Sequence, residues 1–132
     1  MQLHALSFLV PDYDAGIDFF CDILGFELIE DIPQDGKRWV RVKAPGAQTS
    51  IVLARAATPE QRTMIGRQGA GRVWLFLTTD DFAREHRRLR DAGISFEEDP
   101  RHEAYGTVAV FSDPFGNRWD LIQPTSEHSE SF

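Results

Sequence analysis

The sequence predicts an α+β fold made of two tandem modules, each with the order strand, helix and three strands. Two observations predict this fold. In both halves of the chain, apolar residues recur first at strand spacing, then at helix spacing and again at strand spacing. A fixed offset of 68 residues, without a gap, also aligns the two halves, which indicates an internal repeat. The aligned residues include the pairs Leu9 and Leu77, Asp12 and Asp80, Gly25 and Gly93, and Glu30 and Glu98.

The first module begins with a strand at residues 3–10, in which apolar side chains alternate with others. Asp12 is placed to cap the helix that follows, and Gly25 is placed to end it, because glycine tolerates the left-handed conformation there. The apolar stripe of this helix includes Cys21, which we therefore expect in the core and not as a reactive thiol. Three strands follow, at residues 26–31, 38–44 and 49–54.

The second module repeats this order. A strand at residues 72–78 precedes a helix that Asp80 is expected to cap and that ends at Gly93. Strands follow near residues 94–97, 105–112 and 118–123. The segment Asp-Pro-Phe-Gly-Asn at residues 113–117 predicts a tight turn between the last two strands.

The domain organisation follows from the repeat. We predict one domain at residues 1–124, with module one at 1–54 and module two at 72–124. Residues 55–71 contain Pro59 and several glycines and have no clean hydrophobic period, which predicts a linker or a mobile flap. Residues 125–132 are predicted to be a flexible tail.

Composition and charge exclude several classes of protein. With 42% hydrophobic and 27% charged residues, the chain has enough apolar material for a packed core. The formal net charge of −7 argues against nucleic acid or an anionic membrane surface as the partner, and leaves a small organic ligand, with a weak preference for a basic one. The single cysteine forms no intrachain disulfide, and no stretch resembles a signal peptide or a membrane span. We therefore expect a cytoplasmic protein.

Three stretches carry a family resemblance: Val10-Pro11-Asp12, the helix end at residues 19–26, and the turn at residues 113–117 that leads into Trp119-Asp120-Leu121. Together they resemble the vicinal oxygen chelate superfamily, which includes glyoxalase I, bleomycin resistance proteins and extradiol dioxygenases. The resemblance covers residues 1–124. It implies two βαβββ modules whose curved mixed sheets form a cup open to a ligand, as in the glyoxalase/bleomycin resistance fold, and commonly a homodimer.

The resemblance also implies a place for a metal. In enzymes of the family, His, Gln or Glu side chains from the first and last strand of each module hold a divalent cation. The matching positions are Ala5, Val52, Val73 and Asp120. Only Asp120 has a donor atom, whereas a metal needs about three protein donors, so we expect no metal and no other cofactor. His4 would join Asp120 only if a one-residue bulge turned it inward, with His102 as a third donor.

The candidate ligand-binding residues are Asp120, Trp39, Arg41, Phe111, Tyr105 and His102. Strand alternation favours the valines at positions 40, 42, 108 and 110 as the side chains packed under a helix, which leaves Trp39, Arg41 and Phe111 on the opposite face. Asp120 is expected either to pair with Arg41 or Arg118, or to hydrogen-bond an amine or hydroxyl of a ligand. Trp39 is suited either to ligand stacking or to core or interface packing.

Two functions from different classes follow. The preferred hypothesis is a small-molecule-binding member of the superfamily without the usual metal site. The alternative is a metal-dependent lyase or isomerase similar to glyoxalase I, or an extradiol-type dioxygenase, in which a cation polarises substrate oxygens. A third reading, a module that only binds other proteins, predicts a filled cup.

Overall fold

The computed structural model describes residues 1–127 and consists of two compact units. The first unit covers Met1–Gln68, and the second begins at Gly69. The predicted α+β class is confirmed, since each unit combines one sheet with a helix that follows the first strand of that sheet. The elements of the first unit are β1 (Ala5–Val10), α1 (Tyr13–Ile17), β2 (Glu27–Gln34), β3 (Lys37–Lys43), β4 (Ser50–Arg55) and α2 (Pro59–Thr63).

The first sheet has the strand order β1-β4-β3-β2. β1 runs parallel to β4, and the other neighbours are antiparallel. One face of the sheet is buried under α1, because a Cβ placed on Gly16 would lie 2.9 Å from Cδ1 of Leu53 in β4. Helix and strand are therefore in direct contact at this glycine. The buried side chains of this sheet face are Phe8, Val10, Val40, Val42 and Leu53, as the alternation predicts.

The first helix begins as predicted and then widens. The backbone N–H of Ala15 donates to Asp12 at 2.8 Å, which confirms the cap. From Asp18 to Ile23 the chain forms a π-helix, and the N–H of Leu24 reaches back five residues to the carbonyl of Phe19. Because this wider turn places Phe19 and the next phenylalanine in the core, Cys21 is only half-buried. The prediction of a core cysteine is thus wrong.

The second unit contains β5 (Val73–Thr78), α3 (Phe82–Asp91), β6 (Ser95–Phe96), β7 (Arg101–Glu103), β8 (Gly106–Ser112) and β9 (Arg118–Pro124). Its strand order is β5-β9-β8-β6, and β7 also pairs with β8. β6 and β7 therefore occupy the place that β2 has in the first sheet, with a break at residues 97–100. The sequence predicted only the first part of this strand.

The repeat offset holds only in part. The N-cap of α3 is Asp81 and not Asp80, because the N–H of Arg84 donates to Asp81 at 3.1 Å. In the first sheet Val40 pairs with Leu53, whereas in the second sheet Ala109 pairs with Leu121. The second module therefore has one more residue before α3. β8 is as long as β3 but is shifted by one residue against β9, because the turn at residues 113–117 is one residue shorter than the turn at residues 44–49. A gapless offset is wrong at both places.

The segment between the modules contains structure that the sequence did not indicate. Thr58 caps α2 by accepting a hydrogen bond from the N–H of Gln61 at 3.1 Å. Further along, the side chain of Gln68 binds the backbone of β1 twice. The N–H of Leu9 donates to its Oε1 at 2.8 Å, and its Nε2 donates to the carbonyl of Ser7 at 3.2 Å. Gln68 thereby satisfies hydrogen-bonding groups of β1, an edge strand of the first sheet.

Residues 128–132, most of the predicted tail, lie outside the described residues. Just before them, the N–H of Thr125 donates to the carbonyl of Tyr105 at 2.9 Å. Within residues 1–127, no helix combines the length and the apolar character needed to cross a membrane.

Candidate functional site

The side of each sheet that faces away from its helix is called the open face below. In the first unit it carries Trp39 and Arg41 on β3 and Val52 on β4, because their strand neighbours are buried under α1. The prediction for these two β3 residues is confirmed as to their face. Trp39 keeps 37% of its surface exposed. The open face of the first unit thus presents an accessible indole ring.

A carboxylate from the neighbouring strand fixes both side chains. Glu30 accepts from the indole Nε1 of Trp39 at 3.1 Å and from Nε of Arg41 at 2.7 Å. The hydrogen bond from Arg41, and then that from Trp39, holds the pKa of Glu30 below its usual range. Arg41 also donates to Oγ of Ser50 at 3.2 Å. Arg41 is therefore engaged within its own sheet, and Trp39 is held in one orientation.

A cavity of about 400 Å³ adjoins the indole ring. Tyr13, at the start of α1, lies at its border beneath two guanidinium groups. The guanidinium carbons of Arg38 and Arg55 are 5.3 and 5.4 Å from the centre of the Tyr13 ring. The side chains that line the cavity are Leu9, Tyr13, Gln34, Lys37, Arg38, Trp39, Val52, Leu53, Ala54, Arg55, Ala57 and Gln61. The sequence analysis identified only Trp39 among them as a ligand-binding candidate.

Asp120 is the central polar residue of the open face in the second unit. Its strand β9 places it between Phe76 of β5 and Val110 of β8. Phe76 is 59% exposed, so an apolar ring stands beside the carboxyl group. Among the described residues, Oδ1 of Asp120 is buried and has no hydrogen-bond partner. Burial raises the pKa of this carboxyl group, and the nearby Arg101 opposes that effect only in part.

The expected arginine partners of Asp120 are engaged elsewhere. Arg118 donates to Glu97 at 2.8 Å and to the carbonyl of Gly71 at 3.0 Å. Arg101 binds the carboxylate of Glu98 at 3.0 Å. Glu98 also accepts from the N–H of Val110, the register partner of Asp120. Asp120 thus does not form the predicted ion pair with Arg118. Two other ion pairs, Arg118 with Glu97 and Arg101 with Glu98, lie near its carboxyl group, and neither arginine forms a hydrogen bond with Oδ1.

Phe111 lies on the opposite face from the one predicted. It is fully buried, stacks on Trp119 with the ring centres 5.7 Å apart, and contacts Phe96 at 5.5 Å. Phe96 in turn contacts His86 of α3 at 4.4 Å. This line of rings leads to the helix, so Phe111 belongs to the core under α3. The shift of β8 against β9 is the physical reason, because a shift of one residue exchanges the two faces of a strand.

The alternation of side chains along β7 and β8 places His102 on the face of the second sheet opposite Asp120. Arg101 pairs with Val108, whose side chain lies on the Asp120 face, and His102 pairs with Thr107, whose side chain lies on the other. The imidazole Nδ1 is 3.2 Å from Oγ1 of Thr107. His102 therefore borders a cleft beside α3 and does not approach Asp120. Tyr105 hydrogen-bonds Arg101 and, after Glu98 and Glu103, contributes to raising the pKa of that guanidinium group.

The four positions that the family uses for a divalent cation do not suit one in this chain. Three of them are the aliphatic residues Ala5, Val52 and Val73, and the fourth is Asp120 alone. His4 does not replace Ala5, since β1 pairs with β4 in continuous register from Ala5 to Val10, without the bulge that would turn it inward. Within residues 1–127, no three His, Cys, Asp or Glu side chains converge as metal ligands would.

Sequence reasoning missed two groups of charged residues. The first comprises Lys37 and Arg38 at the start of β3 and Arg55 at the end of β4, which meet at the cavity only through the fold. The second is Glu98 with Arg101. A signal for this pair was present, because the repeat aligns Glu98 with Glu30, the carboxylate that binds Arg41 in the first unit. The alignment could have identified an open-face carboxylate in each module.

Comparisons with known proteins agree with the fold. Residues 2–121 match the family model of the Glyoxalase/Bleomycin resistance protein/Dioxygenase superfamily. An uncharacterized protein of Shewanella frigidimarina is 51% identical over 121 residues, covering 89% of this chain and 90% of that protein. The crystal structure of TnmS3, an antibiotic binding protein from Streptomyces sp. CB03234, is 31% identical with a TM-score of 0.76, covering 95% and 97%. A 2-epi-5-epi-valiolone epimerase from Actinomyces sp. is 26% identical, covering 92% and 79%.

Proposed function

Because the chain belongs to the Glyoxalase/Bleomycin resistance protein/Dioxygenase superfamily, we propose that it is a member that binds a small organic molecule without a metal. One observation carries this proposal. Three of the four positions that supply metal ligands in enzymes of the family are aliphatic here, and a cavity of about 400 Å³ adjoins one of them, Val52. The chain thus lacks donors where a catalytic cation needs them and has space where a ligand needs it.

The similarity to TnmS3 supports the same function. That protein is described as antibiotic binding, and it matches nearly the whole of this chain at 31% identity. Fold alone does not determine function in a varied superfamily, so the side chains of the site must support the assignment. Trp39 supplies an indole ring for stacking, and Glu30 holds that ring in place through a hydrogen bond of 3.1 Å. An aromatic antibiotic is a ligand of suitable chemistry.

A separate polar contact is proposed in the second unit, at Asp120. Its Oδ1 is buried and, within the described part of the chain, unpartnered, which costs free energy unless a donor reaches it. An amine or hydroxyl group of a bound molecule would supply that hydrogen bond.

We extend the proposal to the quaternary state and the compartment. Phe76 and Ile32 are 59% and 45% exposed on the open faces of their units, and exposed apolar side chains of this size are typical of interfaces. A homodimer would cover such residues. One cysteine in the whole sequence fits a reducing compartment, so we propose that the protein works in the cytoplasm.

Metal analysis and ligand screening together test the proposed function. The protein is purified without a metal-affinity column, and its zinc, iron, nickel and manganese are measured by mass spectrometry. Thermal unfolding is then followed with a panel of aromatic antibiotics, before and after treatment with EDTA. We expect metal far below one atom per chain and at least one compound that raises Tm equally in both conditions.

The opposite results would support the metal-dependent alternative. Stoichiometric metal that is lost in Asp120→Ala, together with ligand binding that EDTA abolishes, contradicts the proposal. Asp22→Ala is the matched control, because Asp22 is an exposed acidic residue on the π-helical segment. No stabilisation by any compound of the panel also counts against a small-molecule-binding role.

A further inference from the structure

The cavity beside Trp39 is lined by positively charged side chains, whereas the whole chain has a negative net charge. Its lining includes the cationic side chains of Lys37, Arg38 and Arg55, and none of the described residues that line it is acidic. The full sequence, in contrast, has a formal net charge of −7. A cationic cavity in an acidic protein attracts ligands of negative charge. The local chemistry therefore opposes the preference for a basic ligand that the net charge suggested.

Two of the three cations are available to a ligand. Arg38 is neutralised by Asp31 at 2.7 Å and by Asp14 at 2.9 Å. Lys37 and Arg55, by contrast, form no ion pair with any of the residues 1–127. Arg55 lies over the ring of Tyr13, on the α1 side of the sheet. Lys37 shares the open face with Trp39, two residues further along β3, and can donate hydrogen bonds to an anionic group there.

The rest of the cavity is suited to a flat apolar body. Leu9, Val52 and Ala54 of neighbouring strands supply an aliphatic surface, and Trp39 supplies an aromatic one. Val52 stands where enzymes of the family have a metal ligand, so the absence of a donor there extends the apolar surface. Glu30 holds the indole ring in one orientation before any ligand arrives. Stacking on a ring that is already fixed costs little conformational entropy.

We propose that this cavity binds a planar aromatic molecule that carries an acidic group, such as a carboxylate, phenolate or sulfonate. The ring system stacks on Trp39 and covers the aliphatic side chains, and the acidic group binds Lys37, which lies on the same face of β3 as Trp39. This inference rests on the proposed small-molecule-binding function and names the chemical class of the ligand.

Two dyes that share a ring system test this class. 8-Anilino-1-naphthalenesulfonate is an anion, and N-phenyl-1-naphthylamine is its uncharged counterpart without the sulfonate. Both are titrated by fluorescence into the wild-type protein and into Lys37→Gln, Trp39→Ala and Arg87→Gln. Arg87 is exposed on α3 of the second unit, so Arg87→Gln removes the same charge from the protein without touching this cavity. Circular dichroism verifies that each variant is folded.

We expect the anionic dye to bind the wild-type protein about tenfold more tightly than the neutral dye, because one charge-assisted hydrogen bond separates the two. Lys37→Gln removes most of that difference and leaves the neutral dye unaffected. Trp39→Ala weakens both dyes. Arg87→Gln changes neither affinity. Equal affinities of the two dyes for the wild-type protein, or equal effects of Lys37→Gln and Arg87→Gln, overturn the proposed ligand class.

The test separates this inference from the proposed function. If neither dye binds but an antibiotic of the panel still raises Tm without metal, the acidic aromatic class is wrong and the binding function stands. If neither the dyes nor any compound of the panel binds, both proposals are overturned.

Discussion

The indole Nε1 of Trp119 donates a hydrogen bond of 2.9 Å to the carboxylate of Asp113, and both side chains are buried, at 1% and 5% exposure. The same carboxylate accepts from the backbone N–H groups of Phe115 and Asn117, each at 2.9 Å. Asp113 therefore holds the turn between β8 and β9 and fixes the largest side chain of the core at once. A single residue links the turn motif to the packing beneath α3.

We expect Asp113→Ala to lower the free energy of unfolding by about 2–4 kcal/mol, because it leaves the indole and two backbone donors buried without acceptors. Asp113→Asn should cost less, since one oxygen remains for the backbone donors and only the oxygen that accepts from Trp119 Nε1 and Asn117 Nδ2 is lost. Urea denaturation measures both. Asp22→Asn, an exposed carboxyl on the π-helical segment, serves as the control with little change. Equal stability of Asp113→Ala and the control would contradict this role.

Asp120→Asn is predicted to stabilise the protein at neutral pH by about 1 kcal/mol, because the amide carries no charge whose burial disfavours the folded state. The folded state raises the pKa of Asp120 above its ordinary value of 3.8, chiefly by burial. Between these two pKa values the folded state holds more protons than the unfolded state, so the stability that Asp120 contributes falls as pH rises through that window. Urea denaturation from pH 3 to pH 8 measures this dependence.

The comparison with Asp120→Asn isolates that titration, because the amide does not ionise. The gap in stability between the variant and the wild-type protein should open as pH rises above 3.8. It should remain constant at higher pH, where Asp120 is ionised in both states. A gap that does not depend on pH would show that burial does not disfavour the carboxylate.

Gln68→Ala should expose the edge of β1. The N–H of Leu9 loses its acceptor and the carbonyl of Ser7 loses its donor, so we expect a loss of about 1–2 kcal/mol and faster hydrogen exchange at the Leu9 amide. Gln68→Glu keeps an acceptor for Leu9 and should restore most of the protection of that amide. Hydrogen exchange followed by NMR measures both variants. Unchanged exchange at Leu9 in Gln68→Ala would contradict the edge role.

His86 is expected to titrate below its ordinary pKa of 6.5, because burial between Phe82 and Phe96, and then the charge of Arg90, disfavour the imidazolium. Asp99 acts in the opposite direction. Arg90→Gln should therefore raise the pKa, and Asp99→Asn should lower it further. NMR titration of the imidazole measures all three values.

The sign of the stability effect follows from the same shift. Since the unfolded state binds the proton first, the stability contributed by His86 falls as pH drops below 6.5. Thermal unfolding between pH 5 and pH 8 should show this loss, and His86→Phe should reduce it. A pKa of 6.5 for His86 in the wild-type protein and in both variants would contradict the effects of burial, Arg90 and Asp99 on the imidazole.

The order of the elements could be predicted from the sequence because it depends on local patterns. Asp12 precedes a helix, Gly25 ends it at a φ of +83°, and Val40 and Val42 alternate with polar neighbours in β3. Such signals lie within a few residues of the structure that they specify. The repeat added the relation between the modules, and it located Asp120 on the open face correctly.

Two features could not be predicted because they depend on a difference of one residue or on distant parts of the chain. The one-residue shift of β8 against β9 leaves the valine pattern unchanged but exchanges its faces, so Phe111 enters the core. The cations of the cavity come from β3 and from the end of β4. Net charge averages over the whole chain, and for that reason it does not reveal a small region of opposite sign.

The break at residues 97–100 makes the outer edges of the two sheets unequal. β2 offers eight consecutive residues along its free side, whereas β6 and β7 offer two and three with a kink between them. Of these two edges, β2 provides the run of donors and acceptors that an added strand needs. On this side of the sheets, strand addition by another polypeptide, whether useful or leading to aggregation, would therefore occur at β2. Ile32→Lys, in the middle of that edge, would block the addition of a strand, because a charged side chain on an edge strand disfavours such pairing.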